Sequence, residues 1–161
     1  MFKSMTTDDQ DSLYVTGHWD IEYEHSAGEV GSRFLGSLRD DATILGRRCP
    51  SCERVLAPPR DFCEQCFVDT DEWVELGPEG QIESYTVVPH ALGAGPEAPY
   101  ALAYVQLDGA DTAMVNELKG LDLADPDAAA RELSLGTHVE ATFRPPEERE
   151  GRITDFHYEV I

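Results

Sequence analysis

"RRCPSCERVLAPPRDFCEQC", residues 47–66, carries two Cys-x2-Cys pairs separated by ten residues, and these are all four cysteines of the 161-residue chain. Each Cys-x2-Cys turn brings two thiolates to one side of a knuckle, and two knuckles on a short hairpin complete a tetrahedron. Cys49, Cys52, Cys63 and Cys66 are therefore candidate ligands of one metal ion. Four sulfurs leave no open position for water, so such an ion supplies folding energy and shape and does not activate a substrate. Zinc is the expected metal. Tetrathiolate iron uses the same ligands, and sequence does not separate the two. Two disulfides would need an oxidising compartment, and a thioredoxin-like redox pair would need a βαβ context that is missing here. Between the pairs, Val55 and Leu56 suit a β-ribbon, and Pro58-Pro59 would fix the turn into the second knuckle.

The charge around this stretch is unlike that of the rest. The chain has 12 Lys+Arg against 32 Asp+Glu, a formal charge of −20. Six arginines (33, 39, 47, 48, 54, 60) against Asp40, Asp41 and Glu53 make residues 33–60 net +3, leaving −23 elsewhere. A field of that sign repels phosphate backbones and penalises general nucleic-acid binding. The basic segment suits either docking on an acidic module of the same chain or contact with an anionic partner or phosphate-bearing ligand. A hydrophobic share of 41% is that of a globular protein, and no run of about eighteen apolar residues could span a bilayer. The start "MFKSMTTDDQDS" lacks an apolar signal region, so a cytoplasmic location is expected.

Outward from the cysteines, four segments are expected. Residues 1–28 read as a flexible lead with an aromatic segment (Tyr14, Trp19, Tyr23), polar and without periodicity over 1–12. Residues 29–41 place Val30, Phe34, Leu35 and Leu38 at helical spacing and read as a short amphipathic helix, with Gly31 and Gly36 weakening it. Residues 42–76 form the metal-binding module. Residues 77–161 become β-rich: a strand around Ile82–Val88 ended by Pro89, "YALAYVQLD" (100–108), and "TAMVNELKG" (112–120) after an Asp108-Gly109 turn. A brief helix follows, capped near Asp125 and stopped by Gly136. "THVEATFRP" and "RITDFHYEVI" close the chain as two strands joined by the polar turn "PEEREG". Five strands with a helix between the third and fourth is the order of an OB barrel, although other small five-stranded barrels give a similar string. The fold class is mainly β, and with no low-complexity linker the modules are expected to pack as one unit.

The run "ILGRRCPSCERVLAPPRDFCEQC", followed by "GQIESYTVV" and "PYALAYVQLD", resembles the acyl-CoA-associated zinc-ribbon and OB-fold protein family over roughly residues 30–160. The most specific features are Arg47-Arg48, Pro58-Pro59-Arg60, the four cysteines and the Ser84–Val88 strand. The resemblance implies an N-terminal helical segment, a rubredoxin-like zinc ribbon with one structural zinc, and a five-stranded OB barrel. It implies a small non-catalytic accessory subunit in a hetero-oligomer with a thiolase-like enzyme, either a thiolase or a retro-aldolase such as those of steroid side-chain breakdown. The helix and ribbon would face that partner, whose own cysteine and histidines would do the chemistry on a CoA thioester bound to the complex. Glu53 and Phe67 stand where the family often has glycine, a residue that permits a left-handed turn.

No catalytic residues are assigned to the chain itself. Its cysteines are committed to metal, and His18, His25, His90, His138 and His157 fall in no spacing that announces a site. The alternative is a single-stranded nucleic-acid-binding module, since zinc ribbons and OB barrels both serve that role with aromatics on a basic groove. Tyr85, Tyr100, Tyr104, Phe143, Phe156 and Tyr158 could supply the aromatics, but their strands also carry Glu83, Asp108, Glu140, Asp155 and Glu159.

Overall fold

The computed structural model describes residues 5–7, 13–15, 17, 21–90 and 96–161. His18 and Trp19 lie outside the described residues. Within the stretch expected to be a lead, β1 (Met5–Thr7) pairs antiparallel with β2 (Leu13–Val15). Helix α1 spans Gly28–Asp41 and buries Phe34, Ser37 and Leu38, the face that the helical spacing marked out. It stops at Ala42, whose left-handed backbone (φ 51°) returns its N–H to the Ser37 carbonyl.

The ribbon follows at once. Its central strand β3 (Ile44–Arg48) is flanked antiparallel by β4 (Val55–Leu56) and, beyond the second knuckle, by a later strand. That knuckle is the small hairpin of β5 (Phe62–Cys63) and β6 (Val68–Asp69), and β7 (Glu72–Leu76) completes the sheet. The remaining strands are β8 (Glu79–Val88), β9 (Tyr100–Leu107), β10 (Met114–Lys119), β11 (His138–Phe143) and β12 (Phe156–Val160). They close a barrel in the order β8-β9-β10-β12-β11, back to β8. Only β10 and β12 run parallel. Helix α2 (Pro126–Glu132) sits between the third and fourth barrel strands, with Asp125 accepting the Ala128 N–H at 3.0 Å as its cap. This is the OB-fold arrangement.

Strand β9 looks apolar on both faces in sequence, yet its burial alternates cleanly, with Ala101, Ala103, Val105 and Leu107 pointing inward. Small residues in the middle of the strand leave room for Phe156 and Tyr158 of β12, which are fully buried. The first barrel strand has to belong to both sides of the barrel. It pairs with β11 through residues 79–81 and with β9 through 80–88, with a register shift between Ile82 and Ser84. At the crossing point Gly80 is so close to β9 that an added Cβ would lie 2.5 Å from the Gln106 carbonyl oxygen.

The last strand starts later than the sequence suggests. Arg152 was expected to open it, but Ile153–Asp155 form a 3₁₀ turn and β12 begins at Phe156. Asp155 is the cause: buried at 2% exposure, its carboxylate accepts the N–H groups of Glu150, Gly151 and Arg152 at 2.7–3.1 Å. Burial works against its charge, but the backbone donors win and hold its pKa below the ordinary carboxylate range. Asn116 donates to the Ile153 and Phe156 carbonyls, fastening the same turn to β10. The loop is thus an ordered wall against α1, where Arg149 reaches the Leu38 carbonyl at 3.4 Å.

Ribbon and barrel meet along the free edge of β4. Asp111 donates its N–H to the Val55 carbonyl and accepts the Val55 N–H on its carboxylate, both at 2.8 Å. One step along, the Thr112 hydroxyl accepts the Ala57 N–H at 2.7 Å and lies 2.8 Å from the Ala57 carbonyl. Beneath this clasp Phe34, Leu38, Ile44, Val55, Ala57 and Leu76 join the barrel interior in one apolar core.

Two substitutions test this framework. Gly80→Ala forces an overpacked strand crossing and should lower stability by about 1–3 kcal/mol in urea melts. Gly77→Ala, where an added Cβ meets nothing within 4 Å, provides the control. Thr112→Val leaves the Ala57 N–H without its acceptor and should cost about 1–3 kcal/mol in the same measurement.

Candidate metal centre

The sulfurs of Cys49, Cys52, Cys63 and Cys66 all lie within 4.8 Å of one another. The Cys52 and Cys63 sulfurs are 3.9 Å apart. A tetrahedron of thiolates around an ion with bonds of about 2.3 Å needs sulfur separations of roughly 3.8 Å, so the four residues fit a single zinc-sized cation. Cys49 and Cys63 are fully buried, and Cys52 and Cys66 are half-buried at the rim.

The two knuckles are the same turn made twice. The Glu53 N–H donates to the Cys49 carbonyl and the Phe67 N–H to the Cys63 carbonyl, each at 2.9 Å. Both donors sit in the left-handed region, with φ of 62° and 56°. These are the positions where the sequence departs from glycine, and the chain adopts the glycine conformation regardless. The thiols respond to their crowding. The Cys52 N–H, foremost among several donors, lowers the Cys49 pKa to about 7. Cys52 gains from the Arg54 N–H, but burial and the neighbouring thiols push it up to about 12. Packed this closely, the thiols divide protons unequally, a conflict that a divalent cation removes by taking all four as thiolates.

Around the cage, four of the six arginines are held by acids. Arg48 pairs with Glu72 at 2.8 Å, Arg54 and Arg60 share Glu64 at 3.4 and 3.2 Å, and Arg39 pairs with Asp40 at 2.8 Å. These pairs are exposed and contribute shape more than stability. The other two, Arg33 and Arg47, lie over the ring of Trp73, a residue that the sequence reading did not single out. On the second knuckle, Phe62 and Phe67 make an edge-on pair at 5.9 Å while 41% and 78% exposed. Ahead of α1, Ile21 and Tyr23 are also exposed.

The other candidates do not converge. His25 stacks on Tyr23, His90 and His138 are exposed, and His157 meets only Glu159 at 3.0 Å. Of the aromatics considered for base stacking, Phe156 and Tyr158 fill the core and Phe143 packs against it. Tyr85 turns its hydroxyl to the Ala130 and Leu133 carbonyls to hold α2. Tyr104 alone among the six is exposed, and Tyr100 is half-buried. Among the described residues no helix is long and apolar enough to cross a membrane.

A profile described as the ChsH2 rubredoxin-like zinc ribbon domain matches residues 39–72, and one described as the ChsH2 C-terminal OB-fold domain matches 73–144, directly abutting it. The chain belongs to this family. Among curated relatives, a DUF35 domain-containing scaffold protein of Methanocaldococcus jannaschii is 29% identical over 111 residues, 66% of this chain and 72% of that protein. A probable enoyl-CoA hydratase alpha subunit of Thermomonospora curvata is 33% identical over 78 residues, 48% of this chain. The chain spans only 24% of that subunit's length. Among solved structures, a chain of the Ltp2-ChsH2(DUF35) aldolase aligns with TM-score 0.55 and 26% identity, covering 80% of this chain and 91% of that one. A DUF35-family protein from Sulfolobus solfataricus aligns with TM-score 0.60 over 83% of this chain and 87% of its own, and at 20% identity it supports the fold alone.

The left-handed knuckle positions give a direct test of the family's turn. Glu53→Gly and Phe67→Gly should each relieve a backbone cost of about 1–2 kcal/mol, partly offset by added freedom in the unfolded chain. A metal-loaded protein melting at or above the wild-type temperature is the expected result.

Proposed function

We propose that this chain is a non-catalytic accessory subunit whose Cys49, Cys52, Cys63 and Cys66 hold one structural zinc ion, and that it completes a thiolase-superfamily enzyme acting on acyl-CoA thioesters. The observation that carries the reading is the joined ribbon and barrel, aligned over 80% of this chain and 91% of a chain of the Ltp2-ChsH2(DUF35) aldolase. The relative named as a subunit of an enoyl-CoA hydratase and the one named as a scaffold support it from outside that structure.

The side chains fit a supporting role. A four-sulfur cage offers the ion no vacant position, so a substrate carbonyl cannot be polarised there. The zinc instead fixes the ribbon, and folding energy of the order of 10 kcal/mol is at stake in such sites. The partner would cover α1 and the ribbon. Exposed Ile21 and Tyr23 ahead of the helix, and Phe62 and Phe67 on the second knuckle, are aromatic and aliphatic anchors of the kind that carry interface energy. The CoA thioester would be a ligand of the assembled pair, with the reacting cysteine and histidines on the partner.

Co-expression with thiolase-like enzymes of the same organism should give, with one of them, a complex that survives size exclusion, with one zinc per accessory chain by metal analysis. Cys49→Ala should lose both zinc and partner. A partner-competent Cys49→Ala protein would remove the structural-zinc claim, and a chain that stays alone would remove the accessory role.

A further inference from the structure

The start of α1 and the second knuckle enclose a hollow of about 490 Å³. Val30, Pro59 and Phe62 give it apolar walls, and Gly28 and Gly31 leave its helix side without side chains. Its charge is uneven, with Glu29, Asp61 and Glu64 against one base, Arg60. Arg60 is already committed, because it shares Glu64 with Arg54 at 3.2 and 3.4 Å. Glu29 and Asp61 are exposed, and among the described residues neither has a base within ion-pair distance. The positive end of the α1 dipole lies here too, but it amounts to only about half a charge. Two free carboxylates outweigh it, so the hollow repels phosphates and other anions and favours a cation.

Apolar walls and a negative rim together describe one kind of occupant. A small free cation gains nothing from the walls, and an apolar side chain gains nothing from the rim. A long basic side chain gains from both, being apolar along its stem and charged only at its head. Of the two such side chains, arginine has the more weakly hydrated head and lies well on an aromatic face. Phe62 offers that face: it is 41% exposed, and edge-on contact with Phe67 at 5.9 Å steadies its ring.

We propose that this hollow is a socket for an arginine side chain projecting from the partner enzyme, its charge met by Glu29 and Asp61 and its stem by Val30, Pro59 and Phe62. The inference rests on the accessory-subunit reading and adds to it the chemistry of the surface that the partner presents.

The test is the affinity of the complex, measured by calorimetry between the full-length, zinc-loaded chain and the purified thiolase-like enzyme that co-purifies with it. Glu29→Gln combined with Asp61→Asn removes the free charge of the socket from two exposed positions and should weaken binding about tenfold or more. Phe62→Ser should weaken it by about as much. Raised salt should loosen the wild-type complex more than the complex of the doubly neutralised variant. Asp127→Asn combined with Glu132→Gln, at exposed positions of α2, lowers the net charge equally and should bind as the wild type does. All variants are compared at one zinc per chain and a wild-type melting temperature. Wild-type affinity in the socket variants, or tighter binding once the two carboxylates are neutralised, would overturn the socket and leave the accessory role standing. An equal loss in the α2 variant would overturn it as well, reducing the effect to net charge. A chain that binds no thiolase-like enzyme at all removes the accessory role, and the socket with it.

Discussion

Four thiol sulfurs within 4.8 Å of one another constrain everything between Ile44 and Leu76. The strands of the ribbon are two to five residues long, too short to hold a sheet by themselves. What sets β3 beside β4 is the first knuckle, and what returns the chain to β7 is the second. Once β4 is placed, its outer edge presents the Val55 and Ala57 backbone groups to Asp111 and Thr112, and the barrel is locked to the ribbon. A local sulfur cage therefore decides a contact between residues 55 apart in sequence.

The same constraint orders the surface. Helix α1 has only one apolar stripe, which Phe34 and Leu38 bury in the core shared by ribbon and barrel. Ahead of it stand the exposed Ile21 and Tyr23, and the second knuckle exposes Phe62 and Phe67. The six arginines of residues 33–60 stand among acids, and four of them are paired with carboxylates. The net charge of −20 discourages contact with other anionic surfaces. In the proposed complex, the zinc holds the second knuckle and its apolar side chains in a single shape.

Much of this was legible in the sequence, for physical reasons that can be named. The cysteine spacing is a geometric statement about ligands, and the 3.6-residue period of Val30, Phe34 and Leu38 is one about a helix face. The order of barrel strands followed from turn residues and the helix between the third and fourth. Glycine's usual place after each knuckle pointed to Glu53 and Phe67, and the left-handed backbone there bears that out. What stayed hidden depended on partners distant in sequence. The alternation of β9 is masked because Tyr100, Leu102 and Tyr104 on its outer face are as apolar as the alanines inside. The 3₁₀ turn before β12 depends on Asp155 capturing three N–H groups, and the clasp and the Trp73 cluster each join elements that only the fold brings together.

As proposed, this chain shapes an acyl-CoA enzyme whose chemistry lies on its partner. Acyl-CoA turnover by the proposed thiolase-like partner alone, by this chain alone, and by the two mixed in equal amounts tests this directly. Full activity is expected only in the mixture, and none from this chain by itself. Turnover by the purified chain, or a partner equally active without it, would overturn the proposed role.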